Sequence, residues 1–101
     1  MWVYCMFDLP VTTPTLRKKY TEFRKKLLRF GFRMVQYSVY NRYCASHDQV
    51  EVIKRRVQRA VPENGMVSLM VITDKQFGDI QHYVRGKNPR YELYGKQLTF
   101  F

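Results

Sequence analysis

Residues 2–10 read Trp2-Val3-Tyr4-Cys5-Met6-Phe7-Asp8-Leu9-Pro10, an apolar run that ends in a single carboxylate. Aromatic, β-branched and sulfur-containing side chains fill positions 2–7 without a polar face, which predicts a buried β-strand. The Asp-Leu-Pro sequence that follows favours an end to the strand at this point. The stretch therefore predicts a core strand that presents Asp8 at its end.

The charge of the whole chain makes this aspartate unusual. The 101 residues include 18 Lys and Arg against 8 Asp and Glu, a formal net charge of +10. Such a basic domain most often faces nucleic acid, with an anionic membrane surface as the second class. Asp8 would repel a polyanion unless it held a divalent cation, so phosphodiester chemistry or phosphate binding is suggested. The simpler alternative, which the residues alone favour, is that Asp8 caps the strand-to-helix turn.

Capping and turn residues divide the remainder of the chain. Thr13, followed by a proline, predicts the N-cap of a first helix, and Gly31 its C-terminal cap. Residues 32–43 predict one long strand or two short strands joined near the middle. Ser46 and Gln49 have the spacing of a capping box that opens a second helix. The further predicted elements are a strand over 66–73, a turn over 74–78, a weaker strand over 79–85, a polar loop over 86–95 and an apolar tail over 98–101.

This order predicts an α+β fold. With two strands in the middle it becomes βαββαβ, a ferredoxin-like antiparallel sheet with two helices on one face. At this length one domain is expected, with residues 1–86 as the ferredoxin-like domain and 87–101 as a C-terminal loop and strand. Because 46% of the residues are hydrophobic and 16% aromatic, we expect a homodimer to cover the other face.

Basic residues are concentrated in the two predicted helices. Twelve of the 18 lie in or just after them, with few acids interleaved. A solvated helix face is the usual interpretation of such a run, but solubilising faces normally mix charges. We therefore predict a phosphate-contacting surface that reads backbone charge rather than base sequence. The predicted nucleic-acid-binding residues are Arg17, Lys18, Arg24, Lys25, Arg29, Lys54, Arg55 and Arg59.

Other chemistry-bearing residues are few. Cys5 and Cys44 lack the spacing of a zinc site or a disulfide framework, and His47 and His82 are isolated. The chain contains no nucleophile, P-loop or paired-carboxylate motif. No run approaches the length needed to span a membrane or has the form of a signal peptide, so a cytosolic protein is expected.

Two further groups of residues have a structural interpretation. Asp74 and Asp79 flank the predicted turn and are expected to be turn-forming residues. Tyr37, Tyr40 and Tyr43 could stack on bases, or could be core or dimer residues, and the second interpretation is preferred.

Six short motifs occur in order along residues 2–86. They are Met6-Phe7-Asp8-Leu9-Pro10, Phe23-Arg24-Lys25-Lys26-Leu27-Leu28, Gly31-Phe32, Gln36-Tyr37-Ser38-Val39-Tyr40, Pro62-x-x-Gly65 and Ile72-Thr73-Asp74-Lys75-Gln76-Phe77. The ordered set resembles the CRISPR-associated protein 2 family, and the form of its motifs is most similar to that of members from type II systems. The resemblance implies a ferredoxin-like fold and a homodimer in which the C-terminal strand is exchanged onto the other protomer.

The resemblance also implies a role in the acquisition of new spacers. The dimer would bridge two dimers of the CRISPR integrase, CRISPR-associated protein 1, and hold incoming double-stranded DNA in the prokaryotic cytoplasm. Many members are also described as nucleases, dependent on Mg²⁺ or Mn²⁺, that act on DNA or single-stranded RNA. Asp8 would then be the catalytic metal ligand, and Arg17 matches a basic position linked to nuclease function. A non-catalytic scaffold and a toxin-type RNA-binding or ribonuclease module are the alternatives.

The sequence departs from some members of that family in the same region. Lys19 and Met34 stand where those members have arginine, and Tyr40 stands where they have phenylalanine. These differences bear on the nuclease activity that the resemblance implies more than on the DNA-bridging role.

Overall fold

The computed structural model describes residues 1–86 and the backbone of residues 98–100. In chain order the elements are β1 (Trp2–Asp8), α1 (Pro14–Arg29), β2 (Arg33–Gln36), β3 (Val39–Tyr43), α2 (His47–Ala60), β4 (Met66–Ile72), α3 (Asp74–Asp79), β5 (His82–Val84) and β6 (Leu98–Phe100). The first six elements follow the predicted βαββαβ order, so the α+β prediction is confirmed.

Four strands form one sheet in the order β2-β3-β1-β4. Every neighbouring pair is antiparallel, and β1 lies in the centre with β3 on one side and β4 on the other. Strand β4 pairs along the whole of β1, from Trp2 opposite Ile72 to Asp8 opposite Met66. This is the ferredoxin-like arrangement that the sequence predicted.

Both long helices pack against the same face of this sheet. Alternate β1 side chains, Val3, Cys5 and Phe7, are at most 6% exposed and share one cluster with residues of both helices. The helical members of that cluster are Phe23, Leu27, Val50, Ile53 and Val57. Apolar side chains at helical spacing thus cover one side of the central strand.

Local capping explains where the helices begin and end. The Thr13 hydroxyl accepts a hydrogen bond from the amide of Leu16 at 3.1 Å, and Gly31 follows α1 with a φ of +90°, as predicted. At α2 the Ser46 hydroxyl accepts from the Gln49 amide at 3.2 Å. The Gln49 side chain accepts from the amide of Ala45 rather than that of Ser46, so the capping box is displaced by one residue.

The segment 32–43 forms two strands rather than one. Strands β2 and β3 are joined through Tyr37 and Ser38, and Ser38 adopts a left-handed φ of 62°. The pairing register shifts between Met34 and Gln36. The tight turn and this irregularity settle the choice that the sequence left open.

The prediction of a turn over 74–78 was wrong. This segment is the helix α3, which opens with a capping box in which Thr73 and Gln76 exchange hydrogen bonds of 2.9 and 3.1 Å. Asp74 and Asp79 are its first and last residues, and the Asp74 carboxylate pairs with the N-terminal ammonium of Met1 at 2.8 Å. A stack of the Trp2 and Phe77 rings, with centroids 3.9 Å apart, fixes α3 to β1.

The strand predicted over 79–85 is shorter, because α3 occupies its first residue and β5 spans only His82–Val84. Strand β6 lies parallel to β5 in a separate two-stranded sheet within the chain. Exchange of the C-terminal strand onto a second protomer stays a prediction, as does the domain boundary at residue 86. Most of the predicted polar loop and Phe101 lie outside the described residues.

The described helices are too short or too polar to cross a lipid bilayer.

Candidate functional site

The carboxylate of Asp8 is exposed at the end of β1. Alternation along the strand places it on the face away from the long helices, together with Tyr4 and Met6. Its cross-strand partner is Met66, whose side chain is 68% exposed. Asp8 therefore ends the strand, as the sequence predicted, and the structure adds that its side chain lies on the open face of the sheet.

Two turns hold the backbone on either side of Asp8. The amide of Phe7 donates a hydrogen bond of 3.0 Å to the carbonyl oxygen of Ser38 in the β2–β3 turn. On the other side Leu9 is 7% exposed and packs against Gly65, where any side chain would collide with it. Asp8 is thus fixed between two turns even though its carboxylate is free to contact a ligand.

The loop that follows Asp8 is held by the first basic residue of α1. The Arg17 side chain donates a hydrogen bond of 3.2 Å from Nη1 to the carbonyl oxygen of Val11. Its guanidinium has further N–H donors, and the residue is exposed. Arg17 can therefore order the loop and still contact an anion.

The residues around Asp8 determine which kind of metal site is compatible with the chain. Among residues 1–86, three potential ligands of the His, Cys, Asp or Glu type nowhere lie close enough together to hold a metal ion. Mg²⁺ is, however, often bound through one or two carboxylates, with substrate phosphates and water as the other ligands. Asp8 fits an ion shared with a bound phosphate, whereas residues 1–86 of one protomer do not supply a site with three protein ligands.

An aromatic cluster lies beneath the same strand end. The ring of Phe7 has its centroid 5.8 Å from Tyr20, 5.1 Å from Phe23 and 5.5 Å from Tyr40. Burial raises the pKa of Tyr40, and the positive charge of Arg24 opposes that shift.

The three central tyrosines do not share one role. Tyr40 is 1% exposed and belongs to the core, which confirms the preferred interpretation for that residue. Tyr37 is 74% exposed and Tyr43 is 49% exposed, so the core interpretation is wrong for these two within one chain. Whether a second protomer covers them stays a prediction.

The predicted nucleic-acid-binding residues all lie in α1 and α2, which together form the helical layer on one face of the sheet. Seven of the eight are exposed: Arg17, Lys18, Arg24, Lys25, Arg29, Arg55 and Arg59. Lys54 is half-buried and its ammonium lies 3.4 Å from the carboxylate of Glu51, which offsets part of its charge. The structure brings these cations to the side of the sheet opposite the open face that carries Asp8.

Three basic residues that the sequence counted but did not select are also well placed. Lys19 and Lys26 lie on the flank of α1 that faces α2, and Arg56 lies opposite them on α2. The sequence signal for Lys19 and Lys26 was their spacing of two helical turns, which places both on one side of α1. Sequence alone could not identify this flank, because the packing of α2 decides which side of α1 it faces.

Comparison with known proteins agrees with this geometry. The family model described as CRISPR associated protein Cas2 matches residues 1–80. A protein of Parvibaculum lavamentivorans is 50% identical over the full length of both chains, and one of Flavobacterium psychrophilum is 43% identical over all of this chain and 88% of its own length. Both of these relatives are named CRISPR-associated endoribonuclease Cas2.

The fold has a counterpart among solved structures. The crystal structure of Streptococcus pyogenes Cas2 superposes with a TM-score of 0.63, covering 80% of this chain and 96% of that one. Only 20% of the aligned residues are identical, so this similarity bears on the fold alone. The family is shown by the matched family model and the full-length relatives: the chain belongs to the CRISPR associated protein Cas2 family.

Proposed function

We propose that this protein acts in CRISPR adaptation as a homodimer that bridges integrase dimers and holds incoming double-stranded DNA. We further propose a metal-dependent endonuclease activity on RNA or DNA, centred on Asp8. One observation carries the proposal: this protein has two different surfaces on opposite sides of its sheet. One is the cationic helical layer, and the other is an open, partly apolar sheet face. The endoribonuclease names of the relatives support the nuclease part.

The open sheet face supports a homodimer. Tyr43, Met66 and Met70 lie on this face, and each is more than 40% exposed. Strand β4 is the outer strand on one side of the four-stranded sheet, so its backbone offers a template for pairing. A second copy of the chain would cover this surface, leave both helical layers outward and bring the two Asp8 strand ends under one twofold axis.

Each surface then has a separate chemical task. The basic residues of the helical layer neutralise phosphates without reading sequence. Asp8 would hold Mg²⁺ or Mn²⁺ together with a substrate phosphate, and such an ion activates water and offsets charge on the scissile group. Arg17 orders the loop that follows Asp8 through its hydrogen bond to Val11.

One substitution separates the two tasks. In Asp8→Ala we expect metal-dependent cleavage of RNA or DNA to fall by at least about a hundredfold, because the lost charge stabilisation is several kcal/mol. Spacer integration with the partner integrase should persist, since the helical layer is unchanged. Asp79→Asn removes an exposed carboxylate at the end of α3 and is the matched control.

The outcomes distinguish the alternatives. If wild-type protein cleaves no substrate with any divalent metal across pH, the nuclease part fails and the non-catalytic scaffold remains. If integration collapses in Asp8→Ala while dimerisation and DNA binding persist, a bridging role independent of Asp8 is wrong. The non-catalytic scaffold is the second candidate, and the observation that favours it is that residues 1–86 contain no cluster of metal ligands around Asp8.

A module that binds single-stranded RNA is the third candidate. The exposed rings of Tyr37 and Tyr43 favour it, because aromatic side chains can stack on bases. Preferential binding of single-stranded RNA over duplex DNA, lost on Tyr43→Ala, would support this role over DNA bridging.

A further inference from the structure

Two adjoining cavities follow the line along which α1 and α2 meet. Their volumes are about 260 and 210 Å³. Both are lined by Lys26, Arg59 and Ala60, so they lie side by side, and together they are called the α1–α2 groove. The groove lies within the helical layer and is distinct from the strand end that carries Asp8.

Four cations line the groove from both sides. Lys19 and Lys26 belong to α1, and Arg56 and Arg59 belong to α2. Within the part of the chain that the structure describes, no ion pair or side-chain hydrogen bond engages any of the four. Their charges are therefore available to an external anion.

The charge changes along the groove. Glu22 and Glu63 line the cavity that contains Lys19, whereas the cavity that contains Phe30 and Arg56 has no acidic residue in its lining. The floor includes the ring of Phe23, which is 1% exposed. Low-polarity groups beneath the cations strengthen their attraction for an anion relative to fully solvated side chains.

The dimensions match one strand of a nucleic-acid backbone. Lys19 and Lys26 are seven residues apart, which corresponds to about 10 Å along an α-helix. A groove of this length covers only a few neighbouring phosphates of one backbone strand, whose charges attract such cations. The cavity volumes leave no room for a duplex, whereas one backbone strand of a duplex can lie along such a groove.

We propose that the α1–α2 groove is a phosphate-binding track for one backbone strand of duplex DNA. Lys19, Lys26, Arg56 and Arg59 contact the phosphates, and the acid-free end is the stronger part of the track. The inference rests on the proposed nucleic-acid function. It sharpens that function by assigning the principal phosphate contacts to the groove walls, whereas Lys18, Lys25 and Arg29 on the outward face supply weaker, diffuse attraction.

Two double variants test the track. Lys26→Gln with Arg59→Gln removes two groove charges, and Lys25→Gln with Arg55→Gln removes two charges from neighbouring positions of the same helices that do not line the groove. Binding of a short blunt-ended DNA duplex is measured for the full chain over a series of KCl concentrations. We expect substitution of Lys26 and Arg59, the groove pair, to reduce the slope of log affinity against log salt by about two. Substitution of Lys25 and Arg55, the control pair, should reduce it by less than about one. Circular dichroism checks that both variants fold, which glutamine's helix propensity favours.

The results separate this inference from the function on which it rests. Equal losses in both pairs would overturn the groove as a track and leave nucleic-acid binding by the helical layer intact. Unchanged slopes in both pairs would overturn both proposals. If the groove pair left duplex binding unchanged but weakened binding of poly-glutamate, the occupant would be an acidic protein segment and the track would be wrong.

Discussion

The two faces of the four-stranded sheet differ in how far one chain can cover them. On the helix-covered face Val3, Cys5 and Phe7 are at most 6% exposed. On the open face Met66 and Met70 are 68% and 44% exposed. The covered side chains belong to the central strand β1 and the exposed ones to the outer strand β4. The difference therefore reflects both the helices that pack on one face and the position of each strand in the sheet.

The difference shows how the same strand can serve stability and function. Residues that alternate along β1 bury one row under α1 and α2, and this row supplies the hydrophobic free energy of folding. The other row ends in the exposed Asp8, and the apolar surface left for a partner on that face lies mainly on Met66 and Met70 of β4. Substitutions on one face should therefore leave the properties of the other face unchanged.

The largest effect is expected at the covered face. Leu27 is 0% exposed, so Leu27→Ala should lower the free energy of unfolding by about 2–5 kcal/mol through lost burial and a cavity. Leu28, the next residue, is 45% exposed, and Leu28→Ala should cost less than about 1 kcal/mol. Urea unfolding measures both, and equal losses would contradict the difference in cover between the two sides of α1.

A smaller effect is expected at the open face. Met70→Lys places a charge where a second protomer is proposed to pack, so dimer association should weaken by about tenfold or more. Val71 is the adjacent residue and points to the opposite face, so Val71→Lys is the matched control. Analytical ultracentrifugation reads the dissociation constant. A dimer weakened only by the control would place the interface on the other face.

A still smaller effect is expected at the N-terminal end of α1, where Thr13 caps the helix. Thr13→Ala removes the acceptor for the Leu16 amide and should cost about 1 kcal/mol of unfolding free energy. Thr12→Ala, at the preceding exposed position, should be almost neutral. Chemical denaturation with circular dichroism compares them, and equal stability of the two variants would show that the cap contributes nothing.

The last prediction needs no substitution, because it concerns the rate at which the Cys5 thiol is labelled in the folded protein. Burial raises the pKa of Cys5 to about 12 from a reference value of 9.0. The thiolate fraction in the folded state is then lower by roughly a thousandfold, so alkylation should be slow until denaturant is added. Because the folded pKa is the higher one, this group's contribution to stability is complete below about pH 9 and is lost as pH rises towards about 12. Rapid native labelling would show that the covered face opens.

The elements that the sequence predicted well are those with local signals. The apolar run of β1, the Thr13 cap and the left-handed Gly31 each depend on near neighbours in the chain. Helix α3 also had such a signal, because Thr73 and Gln76 have the same spacing as the Ser46 and Gln49 pair. Its six-residue length and the internal Gly78 concealed it.

The candidate site was predicted only in part for a different reason. Asp8 could be identified because it ends an apolar run, but its support by Ser38 and Gly65 comes from turns distant in the chain. The basic helices were visible as composition, whereas the pairing of Lys26 with Arg59 across a groove depends on helix packing.

The sequence by itself determined the order of the strands and long helices, the cationic character of those helices and the position of Asp8. These properties follow from periodicity, capping and charge, which act between residues close along the chain. Only the tertiary structure decided which face of the sheet is covered, which flank of α1 meets α2 and which turns hold Asp8. Those relations depend on contacts between distant segments, since a helix can present any flank until another element packs against it.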